Sequence, residues 1–463
     1  MKIFLAKKEI NLGNLIVGLV FFIVAGVVFF IYSINFALLL LFFVLFIYAR
    51  FLRKLENIPS YLDLSILGAL VVLIPLLGAT MFKIPGYGIP TIGFVILVTL
   101  LFDDLELALL FSLLISFLSA SIYGNSLHIG IGLFIASLTA SMLVYRARRR
   151  FKVISAGFIA GVVLFIVAFM MEKDQGFILL PILDLKLLRI CLLNGVISSI
   201  VVLGILPVFE YIFKVVTNIS LLELSDFNHP LLRKLILEAP GTYQHSLVVA
   251  NLSEAAAEAI GANSLLARVG AYYHDVGKLV KPEYFVENLV NYKDMHKKLK
   301  PSMSKLIIFN HVKEGIELAE KYRLNPRIID FISQHHGRTL VYYFYQRAKE
   351  LEPEGMHEEE YRYPGPRPQN KETAIVSLAD TVEALSRTLE DPAPARIEEM
   401  VRDVVKKRFR DAELDESSIT LKDLEKITKS FSRSLNAIFH TRISYPKDEP
   451  HSKQGSKSSK KNN

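Results

Sequence analysis

Cysteine occurs once in the 463 residues, at Cys191, inside an apolar run. Neither a disulfide framework nor a thiolate metal site can therefore form within one chain. Charge is sparse as well, at 21% against 52% hydrophobic residues. That balance excludes a disordered or fibrous chain and points to a membrane protein. The scarcity is uneven: residues 1–213 carry 15 Lys+Arg and 10 Asp+Glu, whereas residues 214–463 carry 38 and 35. Two halves in two solvents follow from that contrast. The net charge of +8 does not mark a basic domain, because residues 214–446 hold 33 charges of each sign. Neither DNA nor RNA is expected as a partner. No internal repeat is present.

Long apolar runs fill the first half. A bilayer core of roughly 30 Å takes about 20 apolar residues as a helix, and eight stretches qualify, near 12–32, 35–50, 64–82, 87–102, 105–123, 127–145, 153–171 and 188–209. The first follows Lys2, Lys7 and Lys8, is too long for a signal-peptide core and has no small-residue cleavage site behind it, so it reads as a retained anchor. Arg50, Arg53 and Lys54 follow the second stretch, and Arg146, Arg148, Arg149, Arg150 and Lys152 separate the sixth from the seventh. Lys and Arg resist translocation, which puts those loops on the cytoplasmic side with the N-terminus. An even number of crossings returns the second half to the same side. The expectation is a multi-pass protein of the plasma membrane with both termini cytoplasmic and the lipid bilayer as a partner. Glu106, His128 and Glu210 fall near the expected helix ends, where interfacial anchoring is the simpler reading than a transport path.

From Ser220 onward apolar residues recur at three- and four-residue spacing, so the second half reads as helical and the whole chain as all-α. Helices are expected near 228–237, 242–260, 264–277, 304–322, 325–336, 371–389, 395–409 and 421–439. The expected organisation is a transmembrane domain over 1–213, a helical linker over 214–240, a cytoplasmic domain over 241–445 and a disordered basic tail over 446–463. Residues 352–370, with the run Tyr363-Pro364-Gly365-Pro366-Arg367-Pro368, form a loop longer than a connector needs, as lids and binding loops do.

Five histidines in helical context, His245, His274, His311, His335 and His336, stand with Asp275 and Asp380 as the candidates for chemistry. Any one alone reads more simply as a core or surface residue. The adjacent pairs change that. His274-Asp275 and His335-His336 each end an apolar helix, and neighbours about 100° apart can face one cavity where the last turn opens. Imidazole and carboxylate suit first-row divalent metals, and the lack of thiolate argues against a structural zinc finger.

In this order, and with the runs Pro240-Gly241-Thr242-Tyr243-Gln244-His245-Ser246, His274-Asp275-Val276-Gly277-Lys278, His335-His336-Gly337, Tyr363-Pro364-Gly365-Pro366 and Leu378-Ala379-Asp380, the sequence resembles the membrane HD-domain cyclic di-AMP phosphodiesterases. The resemblance spans essentially the whole chain. It implies a metal-dependent phosphodiesterase hydrolysing cyclic di-AMP to pApA, with His245, His274, Asp275 and Asp380 holding one divalent metal. His311, His335 and His336 would hold a second, with Asp275 bridging, and a water made acidic by both ions would be the nucleophile. Asp275 and Lys278 are the implied catalytic residues, although Lys278 reads equally well as a solvated helix-end lysine. Manganese or iron suits the donor set, which leaves zinc, nickel and cobalt open. Another cyclic dinucleotide or nucleotide is the alternative substrate, a non-catalytic nucleotide-binding receptor the alternative class, and a homo-oligomer stays open. One departure stands out: such proteins usually carry a large extracellular domain between the first membrane helix and the other seven. Here only the turn around Ser33 and Ile34 lies there, so a signal would enter through the membrane helices, a partner or the short outer loops.

Overall fold

Proline and glycine break the apolar first half at residues 85–90, whereas Pro75 and Pro207 lie inside continuous helices. The computed structural model describes residues 61–172, 184–289, 295–351, 357–390 and 392–439. The expected spans at 12–32 and 35–50 and the basic tail 446–463 lie outside the described residues. Within them come α1 (Tyr61–Thr80), α2 (Thr91–Phe102), α3 (Leu105–Ile122), α4 (Leu127–Val144), α5 (Arg150–Glu172) and α6 (Leu185–Phe213). Helices α3 to α6 are long and apolar enough to cross a membrane, and α1 and α2 are shorter apolar helices. The stretch expected as one span from 87 to 102 starts as a helix only at Thr91, after a 3₁₀ turn over Gly86–Gly88. Pro85 and Pro90 have no N–H to give. The carbonyls freed by the break are satisfied by Asn194 of α6, whose amide donates to Tyr87 O at 2.8 Å and Ile89 O at 2.9 Å. Irregular backbone inside an apolar bundle survives only with such partners.

Buried Leu67, Val71, Ile92, Ile96, Ile115, Leu133 and Leu164 form the bundle core. Helices α5 and α6 meet through glycine: a Cβ on Gly195 would lie 2.0 Å from Gly157 O, the close backbone approach that small residues allow between membrane helices. The outer face of α6 exposes Leu193, Ile197, Ile200, Val201, Ile205 and Val208 at helical spacing. An apolar stripe of that length suits lipid and would be a liability in water.

Helix α6 ends at Lys214 in the left-handed conformation, φ +50°. Glu210 departs from the interfacial reading. It is buried at this exit and accepts from Thr217 N at 2.8 Å and Ser220 Oγ at 2.8 Å, which stitches the membrane helix to the next element. Glu106 and His128 are exposed at helix starts. Arg150, at the start of α5, makes a two-pronged contact with Glu223, Nε to Oε1 at 2.7 Å and Nη2 to Oε2 at 3.0 Å.

The second half contains α7 (Asn218–Leu224), α8 (Pro230–Glu238), α9 (Pro240–Ile260), α10 (Ser264–Tyr273), α11 (Pro301–Lys321), α12 (Pro326–Gln334), α13 (Tyr342–Leu351), α14 (Lys371–Ser386), α15 (Pro394–Arg410) and α16 (Leu421–Phe439). Proline at the first turn opens α8, α9, α11, α12 and α15, where its missing N–H is not needed. Asn263, Asn325 and Asn370 cap α10, α12 and α14. Among the described residues the only β-bridge pairs Leu340 with Arg362, so the protein is all-α. A second core, including Val249, Leu252, Phe331, Ile332, Ile375, Leu378, Val401 and Phe431, lies between these helices. The ends of α10 and α12 meet α9, α11 and α14 at one edge of it.

Candidate metal centre

Each histidine of the cluster comes from a different local device. His245 lies in the second turn of α9. His274 caps the C-terminus of α10, and Asp275 follows at φ −110°, ψ 15°, where the chain leaves the helix for a 3₁₀ turn over Val276–Val280. That turn passes under α11 at backbone contact: a Cβ on Gly277 would fall 1.8 Å from His311 O. Glycine at this position is what lets His311 reach Asp275. His335 and His336 follow the last turn of α12, and Asp380 projects from α14.

Hydrogen bonds on the far side of the rings set the tautomers. His274 Nδ1 lies 2.7 Å from Ala271 O, His311 Nδ1 2.5 Å from Ile308 O and His335 Nδ1 2.9 Å from Ile332 O. Carbonyls only accept, so each Nδ1 carries the proton and, in the neutral ring, each Nε2 presents a lone pair. His245 Nδ1 lies 2.6 Å from Glu383 Oε2, which turns its Nε2 inward in the same way. An acceptor behind the imidazole is the usual arrangement behind a metal-facing histidine.

The inward atoms all face carboxylate. Asp275 Oδ2 is 3.2 Å from His274 Nε2 and 3.5 Å from His245 Nε2, while Asp275 Oδ1 is 3.5 Å from His311 Nε2 and 3.6 Å from His335 Nε2. Asp380 Oδ1 is 3.1 Å from His245 Nε2, and Asp380 Oδ2 is 3.7 Å from His336 Nδ1. His311 Nε2 and His335 Nε2 face each other at 3.4 Å. The seven expected residues therefore all meet in one place. They divide into His245, His274, Asp275 and Asp380, and Asp275, His311, His335 and His336, with the ligand atoms of each set within 4.8 Å of one another. Asp275 belongs to both sets and offers a different oxygen to each.

The donor set fits divalent cations. Asp275 is 1% exposed and His274 fully buried, yet Asp275 Oδ1 and His274 Nε2 make no hydrogen bond. Orphaned buried acceptors are costly unless something positive lies between them. Burial opposes charge on Asp275, but Lys278, His274 and His311 outweigh it and hold the carboxyl well below its ordinary range. Burial also opposes charge on Asp380, and the hydrogen bond from His245 with the nearby imidazoles keeps it ionised. His335 is pushed down to about 3 by burial and by His274, and burial with His335 and His311 holds His336 well below its usual value. Burial lowers His311 too. His245 goes the other way: despite burial, its hydrogen bonds to Asp380 and Glu383 raise it to about 10. A proton at Nε2 of that ring and a cation there exclude each other, while Nδ1 keeps its proton toward Glu383, so metal uptake and proton release are linked.

Lys278 is not a solvated helix-end lysine. Its ammonium is 2.8 Å from Asp275 Oδ2 and 2.8 Å from Glu287 Oε1, and those carboxylates outweigh burial and raise its pKa. Tyr363, from the proline-rich loop, stacks on His336 at 4.2 Å between ring centroids. Sequence reasoning missed Glu287 and Glu383. Only Glu383 left a trace, lying three residues after Asp380 on one face of α14.

The family described as "7TM receptor with intracellular HD hydrolase" matches residues 27–217, and the HD domain family matches residues 242–385. The chain belongs to the seven-transmembrane HD family. It is 40% identical over 367 residues to the cyclic-di-AMP phosphodiesterase PgpH of Bacillus subtilis, covering 78% of this chain and 51% of that protein. Against PgpH of Listeria monocytogenes it is 41% identical over 329 residues, 71% of this chain and 46% of that one. The chain thus spans about half the length of these curated relatives. The crystal structure of the L. monocytogenes PgpH HD domain in complex with cyclic-di-AMP is 47% identical and covers 47% of this chain and 100% of that one, with a TM-score of 0.45.

Proposed function

We propose that this seven-transmembrane HD protein is a metal-dependent phosphodiesterase that hydrolyses cyclic di-AMP to pApA at the cytoplasmic side of the membrane. The observation that carries the reading is the convergence of five imidazoles and two carboxylates on one buried space, with Asp275 shared between two ligand sets. The adenine-bearing substrate rests on the two PgpH relatives, which are 40% and 41% identical. His245, His274, Asp275 and Asp380 would hold one divalent ion, and Asp275, His311, His335 and His336 the other, manganese or iron by donor softness. When bound, such ions would supply Lewis-acid charge to a phosphoryl oxygen and lower the pKa of a bound water.

The chain's own residues do the rest. Asp275 spaces the two ligand sets. Glu383 and the carbonyls of Ala271, Ile308 and Ile332 keep Nε2 of four histidines aimed inward. With Asp275 Oδ2 engaged elsewhere, the Lys278 ammonium keeps Glu287 and is free to donate to a phosphoryl oxygen, a charge-assisted bond that strengthens as negative charge builds. The proposed organisation is a membrane domain over 1–213, a linker over 214–240 and a catalytic domain over 241–445, with both termini cytoplasmic on the strength of the basic run from Arg146 to Lys152 at the junction of α4 and α5.

Purified full-length protein, assayed for turnover of cyclic di-AMP and of cyclic di-GMP with metal analysis of the same sample, tests this. Faster hydrolysis of cyclic di-GMP would overturn the base assignment. Two bound metals without hydrolysis of either would make the protein a receptor. A reporter after Asn463 that is active only outside the cell would overturn the topology.

A further inference from the structure

His336 is the histidine with least to orient it. The other four each use Nδ1 on a fixed acceptor, whereas the His336 ring makes no hydrogen bond among the described residues and is 19% exposed, the most of the seven. Its direction depends on the stacked Tyr363 and on the backbone of the turn that follows α12.

That turn is held from outside the matched HD range. Gly337 takes φ +56°, its N–H donates to Gln334 O at 3.0 Å, and Thr339 N–H donates to His336 O at 3.2 Å. The remaining donor, Arg338 N–H, goes to Glu413 Oε2 at 2.9 Å. Glu413 follows α15, 28 positions past residue 385 where the HD match ends, and is 2% exposed. A Cβ on Gly337 would lie 2.2 Å from Glu413 Oε2, so the carboxylate fills the space that a side chain at 337 would need. The same segment touches the site again: Glu413 N–H donates to Arg408 O at 3.1 Å, and Arg408 Nη2 donates at 2.5 Å to Thr381, the neighbour of Asp380.

We propose that Glu413 is a positioning residue of the metal centre, holding the His335-His336 turn so that His336 faces Asp380 and completes the second ligand set. The proposal rests on the two-metal phosphodiesterase reading, and its test reads metal content before activity so that the two fail separately. A partner behind a metal-facing histidine typically matters about 10- to 100-fold in metal affinity.

The experiment compares wild type with Glu413→Ala, Glu413→Gln and Glu413→Asp in the full chain, measuring bound Mn²⁺ per protein and the Mn²⁺ concentration for half-maximal turnover. Glutamine keeps an oxygen for Arg338 N–H and stays within about twofold of wild type. Alanine has no acceptor and aspartate withdraws it by one methylene, so both drop from about two Mn²⁺ towards one and need about tenfold more metal. Should the alanine variant fail to fold, the glutamine and aspartate variants still decide. Two Mn²⁺ at wild-type affinity in the aspartate variant, with only a lower melting temperature, would reduce Glu413 to a fold-stabilising residue. Metal loss in the glutamine variant with retention in the aspartate variant would make charge, not position, the cause. Wild type that binds two Mn²⁺ and hydrolyses no cyclic dinucleotide would end the phosphodiesterase reading and leave the positioning role to be decided on metal content alone.

Discussion

Lys278→Met separates the two things the ammonium does. Without metal, the charge sits between two carboxylates, Asp275 1% and Glu287 13% exposed, at 2.8 Å from each. Methionine keeps the stem and most of the volume and removes the charge. Breaking a buried ion pair from one side typically costs about 3–5 kcal/mol because the remaining charge is stranded. Glu287 keeps a hydrogen bond from Thr242 Oγ1 at 3.1 Å, and the protonated His245 lies 3.5 Å from Asp275. The loss should therefore fall at the lower end, about 3 kcal/mol, or roughly 6–12 °C in melting temperature for a domain of this size.

Divalent metal should reverse the sign. Lys278 and a cation compete for Asp275 Oδ2, and two unit charges about 4 Å apart at an effective dielectric near 20 repel by about 4 kcal/mol. Recovering a third of that strengthens metal binding about tenfold. Turnover should still fall, by about a hundredfold, since the donor to the phosphoryl oxygen is gone. The assay is thermal melting of chelated and Mn²⁺-loaded protein, with Mn²⁺ affinity and kcat from the same preparations. Tighter metal with slower turnover is a combination that a merely structural lysine does not produce. A chelated variant as stable as wild type, or one that binds Mn²⁺ more weakly, would refute the reasoning.

His336→Ala should lower bound Mn²⁺ from about two towards one with little change in melting temperature, and unchanged metal content would sink the division into two sets. In metal-free protein the His245 imidazolium stabilises the fold below its unfolded pKa near 6.5, and that contribution is lost as pH rises through about 10. Mn²⁺ binding at pH 7.5 should accordingly release about one proton, read by calorimetry in buffers of different ionisation heat, and zero release would remove His245 from the site. Glu210→Ala leaves the buried Thr217 N–H without its acceptor and should destabilise by about 1–3 kcal/mol, whereas Glu210→Gln, which keeps an oxygen there, should lose less. Equal melting temperatures for wild type and the alanine variant would contradict the joint described at the end of α6.

Helix positions were legible wherever a terminus is written in the side chains. Pro240 and the Gly261 stop bound α9 close to the expected 242–260, and Asn370 opens α14 at the expected residue 371. Two helices were not individually placed, α13 and α7, the latter inside the helical linker expected over 214–240. Helix α13 begins Tyr342-Tyr343-Phe344-Tyr345, a run of modest helix propensity, and becomes a helix because Phe344 and Ala348 bury against Tyr361. Helix α7 has only seven residues, too few for a helical period to declare itself. The stretch expected over 87–102 is α-helical only from Thr91, after Pro90, which was visible, because a hydropathy run alone does not register where the backbone loses its donors.

The metal centre divides along a similar line. Atoms that would face a cation must belong to a few side-chain types, so His245, His274, Asp275, His311, His335, His336 and Asp380 could be picked out by type and pairing. Atoms that aim them are under no such restriction. Three are backbone carbonyls, at Ala271, Ile308 and Ile332, which any residue supplies. The others are glutamates, and glutamate is common on helix surfaces, so Glu287 behind Lys278 and Glu413 behind Arg338 carry no mark of their role, and Glu383 behind His245 carries only its place three residues after Asp380. Their partners are up to 138 residues away in sequence. The packing of α9 on α14 brings Glu383 into place and that of the segment after α15 on the turn after α12 brings in Glu413, while Glu287 lies nine residues from Lys278. The chemistry of this site is therefore legible in residue type, although its ligands are spread from His245 to Asp380, and its orientation is a property of the fold.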